Sequence, residues 1–188
     1  RNTIGKIEQT YQKFLIDKTE GIENEDSFVY EMNLPVTSLN LNDHFKFQSE
    51  EELYSFLYEE FPMEIFGHAG SVEYNSMNDL NDFYLDMRDL HEIIIVSDEI
   101  GKSKPASLFF ISKFGCLVET VKFYSESTIN SMWDSIDVLL TANPNLLLNH
   151  PTNKTVIKYE TSYNQDIETK HSITKFKELK TKITELYD

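Results

Sequence analysis

The 188 residues suit one globular domain, and their content of 40% hydrophobic and 13% aromatic residues rules out a wholly disordered chain. Seventeen basic against 32 acidic side chains leave a net charge of −15, which repels phosphate and disfavours nucleic acid and anionic membranes as ligands. The single cysteine, Cys116, excludes an intramolecular disulfide and any CxxC motif, and fits a reducing, cytoplasmic setting.

The charge is uneven. Residues 1–100 hold 22 acidic and 6 basic side chains, net −16, whereas residues 101–188 hold 10 and 11, net +1. The expectation is a single α+β domain over 1–188, with an acidic half over 1–100 and a charge-balanced half over 101–188.

In chain order, Ile4, Ile7, Tyr11, Phe14 and Leu15 share one face at helical period, which predicts a helix over 4–18 ended by Gly21. Glu23–Asp26 reads as a turn, Phe28–Tyr30 as a strand, and 33–48 as mostly loop. Ser49 followed by Glu52 is a capping box opening a helix over 50–61, with Leu53, Phe56, Leu57 and Phe61 buried and Pro62 stopping it. Residues 65–74 read as a turn and short strand. A helix over 78–90 has Leu80, Phe83, Met87 and Leu90 as its buried row. Asp79, Asp82, Asp86 and Asp89 form an acidic ridge about 100° away.

Residues 92–96, 106–112 and 116–123 read as three strands of an antiparallel meander joined by glycine turns. A helix over 127–142 follows, buried through Ile129, Met132, Trp133, Ile136 and Leu140 and stopped at Asn143-Pro144-Asn145. Thr155–Tyr159 is a last strand. Ser172 caps a final helix with Ile173, Phe176, Leu179, Ile183 and Leu186 on one face, and its lysines face solvent or pair with the acidic half. The fold class is therefore α+β, an antiparallel sheet with flanking helices. No apolar run is long enough for a membrane helix. The chain starts at Arg1 rather than Met, which leaves room for a removed upstream segment.

Few signatures of chemistry are present. The five histidines have no metal-ligand spacing, Cys116 has no adjacent base, and neither a glycine-rich phosphate loop nor a nucleophile elbow occurs. The expectation is no catalytic residue, no metal and no cofactor. What remains is a surplus of carboxylates interleaved with tyrosines, including Tyr54, Tyr58, Tyr74 and Tyr84. Carboxylate beside tyrosine is how protein interfaces hold Lys and Arg. Glu50, Glu51, Tyr58, Glu59, Glu60, Asp79, Asp82, Asp86 and Asp89 are the partner-binding residues this reading selects.

The run Glu92-Ile-Ile-Ile-Val-Ser-Asp-Glu-Ile-Gly101, the segment Ser107-Leu-Phe-Phe-Ile-Ser112 and the stretch Met132-Trp133-Asp134-Ser135-Ile136 together resemble the middle of SUKH-type immunity proteins, over roughly residues 90–142. The resemblance implies an α+β scaffold that neutralises a bacterial polymorphic toxin, many of which are nucleases. It carries over no functional residue. The leading expectation is a bacterial immunity protein, an antitoxin that blocks a basic toxin domain through an acidic surface. The alternatives are a phage-type adaptor that mimics nucleic acid on a host enzyme, a small carboxylate- and metal-dependent enzyme, and a structural subunit.

Overall fold

A computed structural model describes residues 3–71, apart from 20–35, and residues 73–187. Gly21, the turn over 23–26 and the strand over 28–30 lie outside the described residues. Contacts divide the chain into two compact units: Arg1–Val72 with Ile100–Lys113, and Glu73–Glu99 with Phe114–Asp188.

In the first unit, helix α1 (Ile4–Thr19) buries Ile7, Tyr11 and Phe14 as its period dictates. They meet Phe45, Phe56, Leu57, Ile65, Phe66 and Ala106 in one cluster. Ring centroids lie 5.2 Å apart for Tyr11–Phe45, Phe14–Phe56 and Phe47–Phe56, an interlocking of aromatic edges and faces. The loop over 36–48 is thus structural, since it delivers Phe45 and Phe47 to the core. The Tyr11 hydroxyl fastens it, donating to the Lys46 carbonyl at 2.6 Å and accepting from the Lys46 amide at 2.9 Å. Burial pushes the Tyr11 phenol upward in pKa, and the Lys46 contact offsets this in part.

The helix expected over 50–61 begins as α2 (Glu50–Ser55) and passes into a π-helical turn over Phe56–Glu60. A second π turn, Met63–Gly67, replaces the turn and strand expected after Pro62. Helix α4 (Ser103–Lys113) packs against that turn. A Cβ on Gly67 would meet the Met63 sulfur and stand 3.3 Å from Phe109 Cδ1 and 3.4 Å from the Ala106 carbonyl oxygen. Small residues on α4 permit this approach: its buried positions are Ser103, Ala106, Ser107 and Phe110.

The second unit is built on parallel strands. Helix α3 (Ser76–Met87) precedes β1 (Ile94–Ser97), which pairs in parallel with β2 (Thr120–Phe123). Helix α5 (Ile129–Asp134) leads to β3 (Val138–Thr141), and helix α6 (Pro144–Leu148) to β4 (Thr155–Tyr159). Strand β5 (His171–Ile173) and helix α7 (Leu179–Tyr187) complete the unit. The sheet order β3-β4-β5 is parallel throughout, with Leu140 beside Ile157 and Ile157 beside His171.

Helices and strands are both present, as the α+β expectation has it, but the sheets are parallel and the antiparallel meander is absent. Its middle strand, 106–112, is α4. Its buried residues recur every three to four positions, so Leu108-Phe109-Phe110-Ile111 is an apolar run on a helix rather than a pleat. With a helix between them, β1 and β2 run in parallel, since the intervening chain carries the crossover. The helix expected over 127–142 likewise divides. It breaks at Ser135, whose hydroxyl donates to the Met132 carbonyl, and the chain resumes as β3. Asn143 then starts a helix instead of stopping one: its side chain accepts from the Asn145 amide, and Pro144 occupies the first turn. Ile173, expected on the last helix, belongs to β5, so Ser172 caps nothing.

The three-stranded sheet is buried on both faces, as parallel sheets are. Leu139 and Val156 face Met132, Trp133, Leu146 and Leu147. Ile157 and Ile173 face the opposite way, with Leu179, Phe83, Phe176 and Ile183. Strands β3, β4 and β5 begin at 138, 155 and 171, so the chain climbs the sheet one rung at a time, as solenoids do. Asn164, 1% exposed, ties these rungs together: its amide donates to Ala142 O at 3.0 Å and Tyr159 O at 2.9 Å, and its carbonyl accepts from Thr161 N. Lys158 serves a similar purpose, giving its buried ammonium to Ile167 O at 2.9 Å.

Asn164→Ala strands these backbone groups and is expected to cost about 2–4 kcal/mol by urea denaturation, whereas Phe56→Ala costs about 3–5 kcal/mol by emptying the aromatic cluster. A loss below about 1 kcal/mol for either would show that the group is dispensable.

Candidate functional site

The selected carboxylates fall into two sets, one in each unit. The first lies on α2 and the π turn after it. Ser49 Oγ accepts from the Glu52 amide at 3.2 Å, and the Glu52 carboxylate reaches Gln48 N at 2.6 Å, one residue before the cap it was expected to close on. Glu50 accepts from the Asn42 side chain at 2.6 Å. Glu51 is held below the usual carboxylate range, first by its own backbone amide and then by the Ser49 hydroxyl.

Glu59 and Glu60 owe their arrangement to the π turn. An α-helix sets neighbouring residues about 100° apart, but the i→i+5 closure brings the residue five on above its start. The Ser55 hydroxyl accordingly reaches both, at 2.8 Å to Glu60 and 3.4 Å to Glu59. The nearby Lys102 ammonium spends a hydrogen bond on the Glu59 carbonyl at 3.2 Å. Tyr58 is half-buried, stacked on Phe66 with ring centroids 5.7 Å apart. The more exposed ring is its neighbour Tyr54, 45% exposed and 5.2 Å from Tyr58.

The second set lies on α3. Asp79 is half-buried, Asp82 and Asp86 are exposed, and Asp89 stands past the helix end. Asp86 is neutralised by Lys180 of α7 at 2.7 Å, so the expected pairing of a C-terminal lysine with the acidic region is present at this position. The buried row is shifted from expectation. Tyr84 and Met87 are buried, while Leu90, one turn beyond the helix, is 76% exposed. Tyr84 is thus a core residue, with the Arg88 guanidinium 5.9 Å from its ring centroid. Sequence reasoning missed Asn81, whose side chain donates to Gly115 O at 2.9 Å and accepts from Leu117 N at 2.8 Å. A lone asparagine between Asp79 and Asp82 is its trace in the sequence.

Among the described residues, no three His, Cys, Asp or Glu side chains converge as a metal site, and no helix is long and apolar enough to cross a membrane. The chain matches no protein-family model, no curated protein and no solved structure.

The strongest electrostatic perturbations in the second unit fall on phenols. The Tyr159 hydroxyl donates to Glu73 at 3.3 Å, and the same carboxylate oxygen accepts from Phe176 N at 3.0 Å. Burial first, and Glu73 next, push Tyr159 up to about 12. Burial and then Asp98 raise Tyr124 to about 12 as well. A phenol kept neutral in the fold ionises in the unfolded chain near its ordinary 10.0, so its contribution is whole below pH 10 and lost as pH rises toward 12. A near-ultraviolet titration should show two of the ten tyrosines ionising near pH 12, and Tyr159→Phe should remove one of them. Uniform ionisation near pH 10 would refute the buried placement.

Proposed function

We propose that this chain is an inhibitor of the immunity type, acting in the bacterial cytoplasm, that binds a basic toxin domain of nuclease class and covers its cationic groove. The observation that carries this reading is the set of exposed carboxylates without cationic partners. Glu50, Glu51, Glu59, Glu60, Asp82 and Asp89 have no Lys, Arg or His nitrogen within 4.0 Å among the described residues. Their charge is held against self-repulsion, and a cationic surface relieves it. Both units contribute, since the first carries 8 basic and 14 acidic residues and the second 9 and 18. The mechanism is occlusion, with carboxylates occupying positions where a nuclease expects phosphates.

The test is co-expression with basic toxin domains encoded beside its gene, followed by binding kinetics with the purified pair. Growth should be rescued, and affinity should fall at least ten-fold from low to physiological salt, chiefly through slower association. Replacing Glu50, Glu51, Glu59 and Glu60 with Gln should flatten that salt dependence. Affinity indifferent to salt would overturn electrostatic occlusion.

A further inference from the structure

The second unit contains two ladders that do not pair with each other, β1 with β2 and the sheet β3-β4-β5. One apolar layer covers both. Val96 of β1 and Tyr124, just past β2, pack on the cluster that holds Met132, Trp133, Leu139 of β3 and Val156 of β4. Each ladder ends in one strand suited to be an edge and one that is not. Strand β2 carries an exposed lysine, Lys122, and β5 is only the three residues His171, Ser172 and Ile173; charge and shortness both discourage further pairing. Strands β1 and β3 have no charged and no exposed residue, and Ile94-Ile95-Val96 and Val138-Leu139-Leu140 are continuous apolar runs, the composition of strands inside a parallel sheet. Yet each pairs on one side only.

Two hydrogen bonds identify the groups left over. Ser97 O accepts from Tyr124 N at 2.9 Å, and Asp137 O accepts from Thr155 N at 3.0 Å. Alternate residues of a strand turn their backbone groups to the same neighbour, so Ile95 and Ser97 face β2 while Leu139 and Thr141 face β4. The N–H and C=O groups of Ile94, Val96, Val138 and Leu140 face the other way, where no strand among the described residues pairs with them. All four residues are half-buried, and backbone groups withdrawn from water without a partner are costly.

We propose that the open edges of β1 and β3 receive one extended apolar segment of a partner chain, which joins the two ladders into a single sheet. The chemistry of the edge selects the occupant. Only an extended backbone presents donors and acceptors at the spacing that Ile94, Val96, Val138 and Leu140 require. Its side chains are apolar on both faces, because Leu139 lies in the cluster on one side of the sheet and Val138 and Leu140 pack on the cluster of Ile157, Ile173 and Leu179 on the other. A second copy of this chain is disfavoured, since it would bring a net charge of −15 against another. The inference goes beyond the inhibitor reading and does not depend on it: this binding uses main-chain hydrogen bonds and apolar burial, and is therefore insensitive to salt.

The experiment titrates the full chain with an uncharged fluorescent peptide, a run of about five Val and Ile residues between Ser-Gly ends, the length of an ordinary strand. Binding should be unchanged between low and high salt, and hydrogen exchange should slow at the Ile94, Val96, Val138 and Leu140 amides. The same peptide N-methylated at alternate residues keeps its apolar side chains but loses donors, and should bind about ten-fold or more weakly. Val138→Pro removes one outward N–H at the first residue of its strand, where proline is tolerated, and should weaken binding similarly. Equal binding of the methylated peptide would reduce the effect to apolar adhesion and overturn the proposal, as would no binding at all. Full protection of the four amides in the free protein, as monomer or dimer, would also overturn it, because the edges would already be filled. Each of these failures leaves the salt-dependent capture of a toxin domain untouched.

Discussion

Parallel pairing is the constraint on which the second unit depends. Strands that run the same way cannot be joined by a tight turn, so the chain must travel back after each one. Every connection thereby becomes an element with its own packing to satisfy. The return between β3 and β4 carries α6, whose Leu146 and Leu147 cover the sheet. The return between β4 and β5 has no helix, and there a buried asparagine and a buried lysine stand in, satisfying carbonyls that regular structure would have paired. Covering both faces also explains why β4 has three consecutive buried residues rather than an alternation.

The same constraint accounts for what could be read from the chain alone. Helix α1 and the core row of Leu53, Phe56 and Leu57 were legible because single amphipathic stripes with capping signals depend only on local spacing. The segment over 103–113 was not, because four consecutive apolar residues fit a strand as well as a helix lying between packed surfaces. The placement of Ser103, Ala106 and Ser107 at helical spacing was the available sign. Residues 127–142 failed for a different reason: a short helix followed by a strand gives an apolar pattern that reads as one long helix. Of the site, the carboxylates were visible as composition. The π turn that brings Glu60 within reach of Ser55, and the asparagine that pins Leu117, were not, since both arise from backbone geometry that side-chain spacing does not encode.

Charge and architecture are partitioned differently. By sequence, the first hundred residues hold more than the whole net charge. By structure, the lysine-bearing segment 100–113 returns to the first unit and the aspartate-rich α3 belongs with the lysines of α7. Each unit is therefore moderately acidic, and each carries its own set of exposed carboxylates. Local composition then matters more than total charge. Tyrosine accompanies the first set and leucine the second, which gives the two surfaces different capacities for apolar contact.

The chain enters the second unit before it has finished the first. Ala106 completes a cluster begun by Ile7, and β1 is spoken in between. On a ribosome, the aromatic residues of α1 and α2 emerge with one wall of their core still unsynthesised, and the wait lasts until α4 has cleared the exit tunnel. A fragment ending at Val72 would share that predicament permanently. The N-terminal segment thus closes its core late relative to its synthesis, once α4 has been made.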